Sequence, residues 1–247
     1  MNATGHCLVA RIAWDYLTPT ARAAVTELVA DPNNPTTGKP TSDQDNDVFN
    51  YTTYMDNIRP TLKDLHFVNV NINGNGDLPP GDNSITFEQK NTAILKDPNS
   101  SKDQKAEALR LDGHLVGDIH MPLHDADNND HGGNGFKLNG KNNLHSLWDK
   151  GGGAWPNGVS EAQLTKLATD IEHKYPMEFF GDRVKDLDPV HWAREGWVMA
   201  KQDVYVGVTQ GQAASPEYIA KCTKDMEMQA ALAGYRWATQ LNVIFQK

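Results

Sequence analysis

The sequence predicts a mainly all-α fold: a single helical domain over residues 1–247, with long loops and one small β-hairpin. Three observations lead there. Apolar residues recur at helical spacing through most of the chain. Turn-rich stretches such as DPNNPTTGKPTSDQDND and DADNNDHGGNG separate the periodic segments. Strand-like patterning is confined to LHFVNVNI and to FKLNGKNNLH, the latter with Asn139-Gly140 at a hairpin turn.

Taken in order, residues 5–30 read as helix, with Leu8, Ile12, Ala13 and Leu17 on one apolar stripe. Thr18-Pro19 then reads as an N-cap followed by proline at the first helical position, so two helices are expected. After the loop at 31–47, Val48, Tyr51, Thr52 and Met55 suggest a short helix stopped before Pro60. Residues 65–72 form a strand or an extended segment, and 73–84 a loop. Residues 85–96 read as helix, and 97–103 as a linker ending in an N-cap. A long helix over 104–119 turns Ala108, Leu111, Leu115 and Ile119 inward. Pro122 ends or bends it, because its ring removes an amide donor and crowds the preceding turn. A helix carrying His145 and Asp149 follows, and then three more at 160–174, 189–208 and 215–245.

Composition narrows the possibilities. Mean hydropathy is −0.60 and no long apolar run occurs, which excludes a transmembrane helix. The opening MNATGHCLVA has no basic region followed by an apolar core, so no signal peptide is expected in these residues. Net charge is −9 at pH 7, which argues against a broad basic surface for duplex DNA but leaves room for a local anion site. Two cysteines, Cys7 and Cys222, could pair, and their positions do not show it. No CxxC pair exists, so any zinc here takes nitrogen and oxygen ligands.

The chemistry concentrates in HLVGDIHMPLH, residues 114–124. His114 and Asp118 are four apart, one turn on the same helical face. In NLHSLWD, His145 and Asp149 repeat that spacing. Either pair alone reads more simply as a helix-surface pair. Together, and with a carboxylate on a buried face where it is costly unpaired, they point to metal. His6, at the start of the first helix, is placed to work with the free α-amine. Asp56 and Arg59 alone would be an ordinary surface pair. His173 and His191 lack acidic or histidine neighbours at ligand spacing and read as structural.

With His6, Asp56, His66, the HxxxDxHxPLH run and the HxxWD pair, the chain resembles the S1/P1 nuclease family. These are zinc-dependent single-strand nucleases and 3′-nucleotidases that share a fold with bacterial zinc-dependent phospholipase C. The resemblance runs from residue 1 to the final helix. It implies three Zn²⁺. Asp56, His66, His114 and Asp118 would hold the first, and His124, His145 and Asp149 the second. The α-amine and carbonyl of Met1, His6 and a bridging Asp118 would hold the third. It also implies Asp56 as the residue that orients the attacking water. Arg59 would face the scissile phosphate, Phe67 stack on the base, Asn69 read the base edge and Asn134 lie beside the substrate. His120 matches a family histidine that is not a ligand, and is expected behind the ligands, orienting a carboxylate. Two departures stand out. Met1 replaces a family tryptophan, although the ligands there are backbone atoms. Asn69 replaces an aspartate of several members, and asparagine both donates and accepts where aspartate only accepts.

The activity so implied is hydrolysis of single-stranded DNA and RNA to 5′-nucleotides, with 3′-nucleotidase activity. A secreted or periplasmic monomer is expected, with nucleic acid and nucleotides as partners and no stable protein partner. Phospholipase C action on phosphatidylcholine-type lipids is the rival, with membrane contact. That branch usually ends its second cluster on glutamate where this chain has Asp149, which favours nuclease. A purely structural zinc protein is disfavoured, because three or four protein atoms per zinc leave room for water or substrate.

Overall fold

A computed structural model describes residues 1–33, 35–36, 41–42, 46–139 and 142–246, the Arg59 side chain excepted. Helices dominate it. In chain order they are α1 (Ala3–Asp15), α2 (Pro19–Val29), α3 (Tyr54–Asn57) and α4 (Arg59–Leu62). After the two-residue strand β1 (Val70–Asn71) come α5 (Ser84–Lys96), α6 (Lys102–Ile119) and α7 (Pro122–Asp125). Strand β2 (Ala126–Asp127) leads to α8 (Leu144–Asp149), α9 (Glu161–Lys174), α10 (Met177–Phe180), α11 (Pro189–Met199) and α12 (Pro216–Ile244). No described helix is long and apolar enough to cross a membrane.

Local chemistry starts these helices, α6 two residues before the expected position. Thr18 caps α2 with Pro19 in the first turn, and Ser101 and Gln104 close a capping box on α6. Asn143 and Ser146 do the same for α8. Pro122 does not merely end α6; after an extended Met121 it opens a separate helical turn, α7, which carries His124.

α6 is the central element, buried all round from Ala106 to Ile119. It packs on α5, α1, α2 and α12. The side chain of Trp237, from α12, fills the space where a Cβ on Gly113 would stand. Two buried polar side chains on this helix are tied to neighbouring elements: Trp237 Nε1 donates to Asp112 at 2.9 Å, and Arg110 Nη2 donates to the carbonyls of Val29 and Asp31.

Two expectations need correction. The segment before Pro60 is a 3-10 turn followed by α3, and Pro60 lies in the first turn of a further helix, α4, so Asp56 and Arg59 sit on separate elements. Proline is tolerated there because the first helical amides have no intrahelical acceptor. The ladder that forms is a parallel pair, Val70 with Ala126 and Asn71 with Asp127, rather than a hairpin. At the expected hairpin one antiparallel bridge joins Lys137 to Asn143; the turn residues Gly140 and Lys141 lie outside the described residues. The short α10 has no periodic signal long enough to read. Cys7 and Cys222 are both buried and unpaired.

The parallel pair positions the site. It continues a contact in which Val68 N donates to His124 O at 2.9 Å, so the His66 and His124 segments are tied side by side.

Candidate metal centre

Six segments converge here. α6 supplies His114 and Asp118, α1 His6, α3 Asp56, the turn before β1 His66, α7 His124, and α8 His145 and Asp149. The chain's first residue enters too: the Met1 amine lies 2.6 Å from Asp118 Oδ1 and 3.2 Å from Asp149 Oδ1. Asn2 makes this possible. Its backbone N donates to Asp149 O at 3.1 Å, and its side chain caps α1.

The imidazoles are aimed by their outer nitrogens. His114 Nδ1 meets Thr52 O at 2.7 Å, and His145 Nδ1 meets Gly132 O at 2.7 Å. Each carbonyl accepts an N–H, which leaves the Nε2 lone pair turned inward. His114 Nε2 then lies 3.1 Å from both Asp118 Oδ2 and His66 Nδ1. His66 Nδ1 is itself 3.1 Å from Asp118 Oδ2. The His6 ring stacks on His114 at 3.7 Å, with Nε2 3.4 Å from Asp118 Oδ1. The His124 and His145 rings stack at 5.1 Å.

Donor atoms fall into three compact groups, each within 4.8 Å: His6, His114 and Asp118; Asp56, His66 and His114; His124, His145 and Asp149. Asp118 is central, touching His66, His114, His6, His124 and the Met1 amine.

Electrostatics keep His6 and His145 neutral and the carboxylates ionised, whereas Asp118 favours the charged forms of His114 and of the amine. Burial and the neighbouring His114 push His6 down to about 3; burial and His124 push His145 down to about 4. Both are therefore neutral at moderate pH. Burial alone would raise Asp118, but His124, the amine and His114 overcome it and hold the carboxyl well below its ordinary range. Asp56 and Asp149 are likewise lowered against burial, by His114 and His6 in one case and by the amine and His124 in the other. The amine itself is raised to about 10: burial opposes, and Asp118 and Asp149 prevail.

Both His6 ring nitrogens, His66 Nε2 and Asp149 Oδ1 are buried without a hydrogen-bond partner. Orphaned donors of this kind are costly unless something else is bound. Neutral imidazoles with ionised carboxylates, at this spacing, fit Zn²⁺.

The structure thus brings together Met1, His6, Asp56, His66, His114, Asp118, His124, His145 and Asp149. Phe67 and Asn69 stand half-buried beside them, Asn69 with left-handed backbone (φ 53°) and its N directed to His124 O at 3.4 Å. Asn134 is exposed, its amide donating to His131 O at 2.9 Å. The Arg59 side chain lies outside the described residues.

His120 differs from expectation. It contacts no ligand carboxylate; Nδ1 meets Val116 O at 2.7 Å and Arg236 Nη1 donates to Nε2 at 3.0 Å. Arg236 is clamped in turn by both oxygens of Glu195. His120 therefore ties the end of α6 to α12 and α11. One residue escaped sequence reasoning. Asp125, next to His124, is fully buried with both carboxylate oxygens unpartnered, against Gly196 of α11. An acid directly after a candidate ligand, in the apolar run MPLHDA, was the available signal.

With the geometry in place, comparison with known proteins decides the family. The S1/P1 Nuclease family model matches residues 2–246.

The chain belongs to the S1/P1 nuclease family.

Among relatives, the chain is 32% identical to Endonuclease 2 of Arabidopsis thaliana over 162 residues, 60% of this chain and 54% of that protein. It is 31% identical to Nuclease S1 of Aspergillus oryzae over 183 residues, 65% of this chain and 62% of that protein. It is 26% identical to Nuclease P1 of Penicillium citrinum over 281 residues, 98% and 97% of the two chains. The match thus spans little more than half of the first two relatives and nearly all of the third. Every residue of the metal centre except Met1 lies inside the family match.

Proposed function

We propose that this family member is a three-zinc phosphodiesterase that hydrolyses single-stranded DNA and RNA to 5′-nucleotides and also removes 3′-phosphates from nucleotides. The observation that carries the reading is three donor groups packed around one buried carboxylate, Asp118, which touches a histidine of each. The names of the relatives, nucleases and endonucleases, agree with it.

Asp56, His66, His114 and Asp118 would hold one zinc; His124, His145 and Asp149 a second; Met1 through its backbone, His6 and Asp118 a third. Zinc in such a centre supplies a nucleophile at moderate pH and neutralises charge on the phosphoryl oxygens. The protein does the rest. Asp56, whose carboxyl is held below its ordinary range despite burial, stays ionised and orients the attacking water. Thr52 O and Gly132 O keep His114 and His145 in the tautomer that ligates. Phe67, half-buried beside His66, offers a ring to a base that is unpaired, since a base inside a duplex cannot present its face.

The test is release of acid-soluble nucleotides from single-stranded DNA and RNA, with short-chain phosphatidylcholine in parallel, each with and without chelator. Chelator-sensitive nucleotide release that is lost in His145→Ala supports the reading. Lipid cleavage alone would move the chain to phospholipase chemistry on the same centre.

A further inference from the structure

Beyond the metal centre, one aromatic side chain is placed to extend the substrate groove. Trp197 lies on α11, directly after Gly196, whose backbone abuts Asp125 beside His124. α11 packs on α7, the turn that carries His124. The indole Nε1 donates to Asn71 O at 3.1 Å, which pins the ring to the end of β1. From His66 onward, residues alternate in burial: His66, Val68, Val70 and Ile72 face inward, while Phe67, Asn69 and Asn71 face outward. This outward row starts at Phe67, next to the candidate ligand His66, turns at Asn69, and ends at Asn71, whose carbonyl holds the indole.

The ring is presented rather than buried. Trp197 is half-buried, and Gly76, at φ +80°, lies against its benzo ring, where a Cβ would come within 3.2 Å. Lys201 Nζ stands 4.2 Å from the ring centroid. Lys201 is exposed and has no ion pair among the described residues; it sits in a π-helical turn, Ala200–Val204, that continues α11. Such turns are uncommon and concentrate at functional sites. An aromatic face next to a free cation is the pairing that binds single-stranded nucleic acid without reading its sequence.

We propose that Trp197 and Lys201 form an outlying subsite in which a base of the single strand stacks on the indole and its phosphate meets the Lys201 ammonium. This rests on the nuclease reading above. The base takes the place of Lys201 over the ring, and the flexible lysine swings to the phosphate. The subsite is sequence-tolerant and engages only substrates long enough to reach from the metal centre to α11.

The test compares kcat/KM for dithymidylate and for ten-nucleotide oligothymidylate in the wild type, Trp197→Ala, Trp197→Phe and Lys201→Ala. Trp197→Ala should lower the ten-mer to dinucleotide ratio about 5-fold or more, through KM, and Trp197→Phe should restore most of it. Lys201→Ala should reduce the slope of log KM against log salt for the ten-mer by about 0.7. An unchanged ratio, or equal losses on both substrates, would overturn the subsite, the latter because the ring would then merely prop β1. Anisotropy of a labelled ten-mer separates the two readings. Wild type that binds but does not cleave, with binding weakened by Trp197→Ala, overturns nuclease activity alone. Wild type that neither binds nor cleaves overturns both.

Discussion

A Cβ on Gly117 would lie 2.7 Å from His6 Nδ1, closer than real side chains approach. The glycine in the middle of α6 therefore makes room for the imidazole that α1 brings against it. Gly117→Ala sets two effects against each other. Alanine favours the helix by about 1 kcal/mol, and the clash opposes it. We expect overall stability to change by no more than about 1 kcal/mol while His6 is displaced and about one zinc per chain is lost. Bound metal by mass spectrometry beside a urea melt checks this; full zinc occupancy would show that His6 is not a ligand.

Chelation should destabilise the fold. Each ion that binds only the folded chain, present at about 100 times its dissociation constant, adds about 2.7 kcal/mol. For a chain of this size that corresponds to about 5–10 °C in Tm. Calorimetry with zinc and with chelator measures it, and coincident transitions would mean that the cluster holds no metal.

The metal-free protein should lose stability in acid through His120 among others. Burial and the neighbouring Arg236 push this imidazole down to about 3, whereas in the unfolded chain it protonates near 6.5. Between those values the unfolded state binds more protons. The contribution is complete above about pH 6.5 and is lost as pH falls toward 3, at about 1.4 kcal/mol per pH unit. Denaturant midpoints in chelator between pH 7 and 5 should fall, and fall less steeply in His120→Gln. Parallel slopes in the two proteins would contradict a neutral His120.

Phe67→Ala should weaken oligonucleotide binding about 5-fold or more and leave hydrolysis of a simple phosphodiester almost untouched, since stacking contributes on the order of 1–3 kcal/mol per base. Equal losses on both substrates would make Phe67 a packing residue instead.

Much of the centre was legible because its ligands come in local pairs. His114 with Asp118 and His145 with Asp149 are one helical turn apart, and a turn of helix converts that spacing into a shared face whatever the rest of the chain does. The cap at Thr18 was readable for the same reason, since a cap bonds amides two or three residues away. The resemblance to a known family supplied the partners of those pairs: His6, Asp56, His66 and the first residue.

By itself, then, the sequence determined the long helices and two halves of a metal centre, because these depend on neighbours a few residues apart. Only the tertiary structure decided how the halves meet. The side-by-side run of His66 and His124, the stacking of His6 on His114 over Gly117, and the approach of the Met1 amine to Asp118 join positions dozens of residues apart. So do the burial of Asp125 against Gly196, the diversion of His120 to Arg236, and the pinning of Trp197 to Asn71. No periodicity encodes such contacts. They exist because packing α1, α7, α11 and α12 around one buried helix leaves these side chains no other place to go.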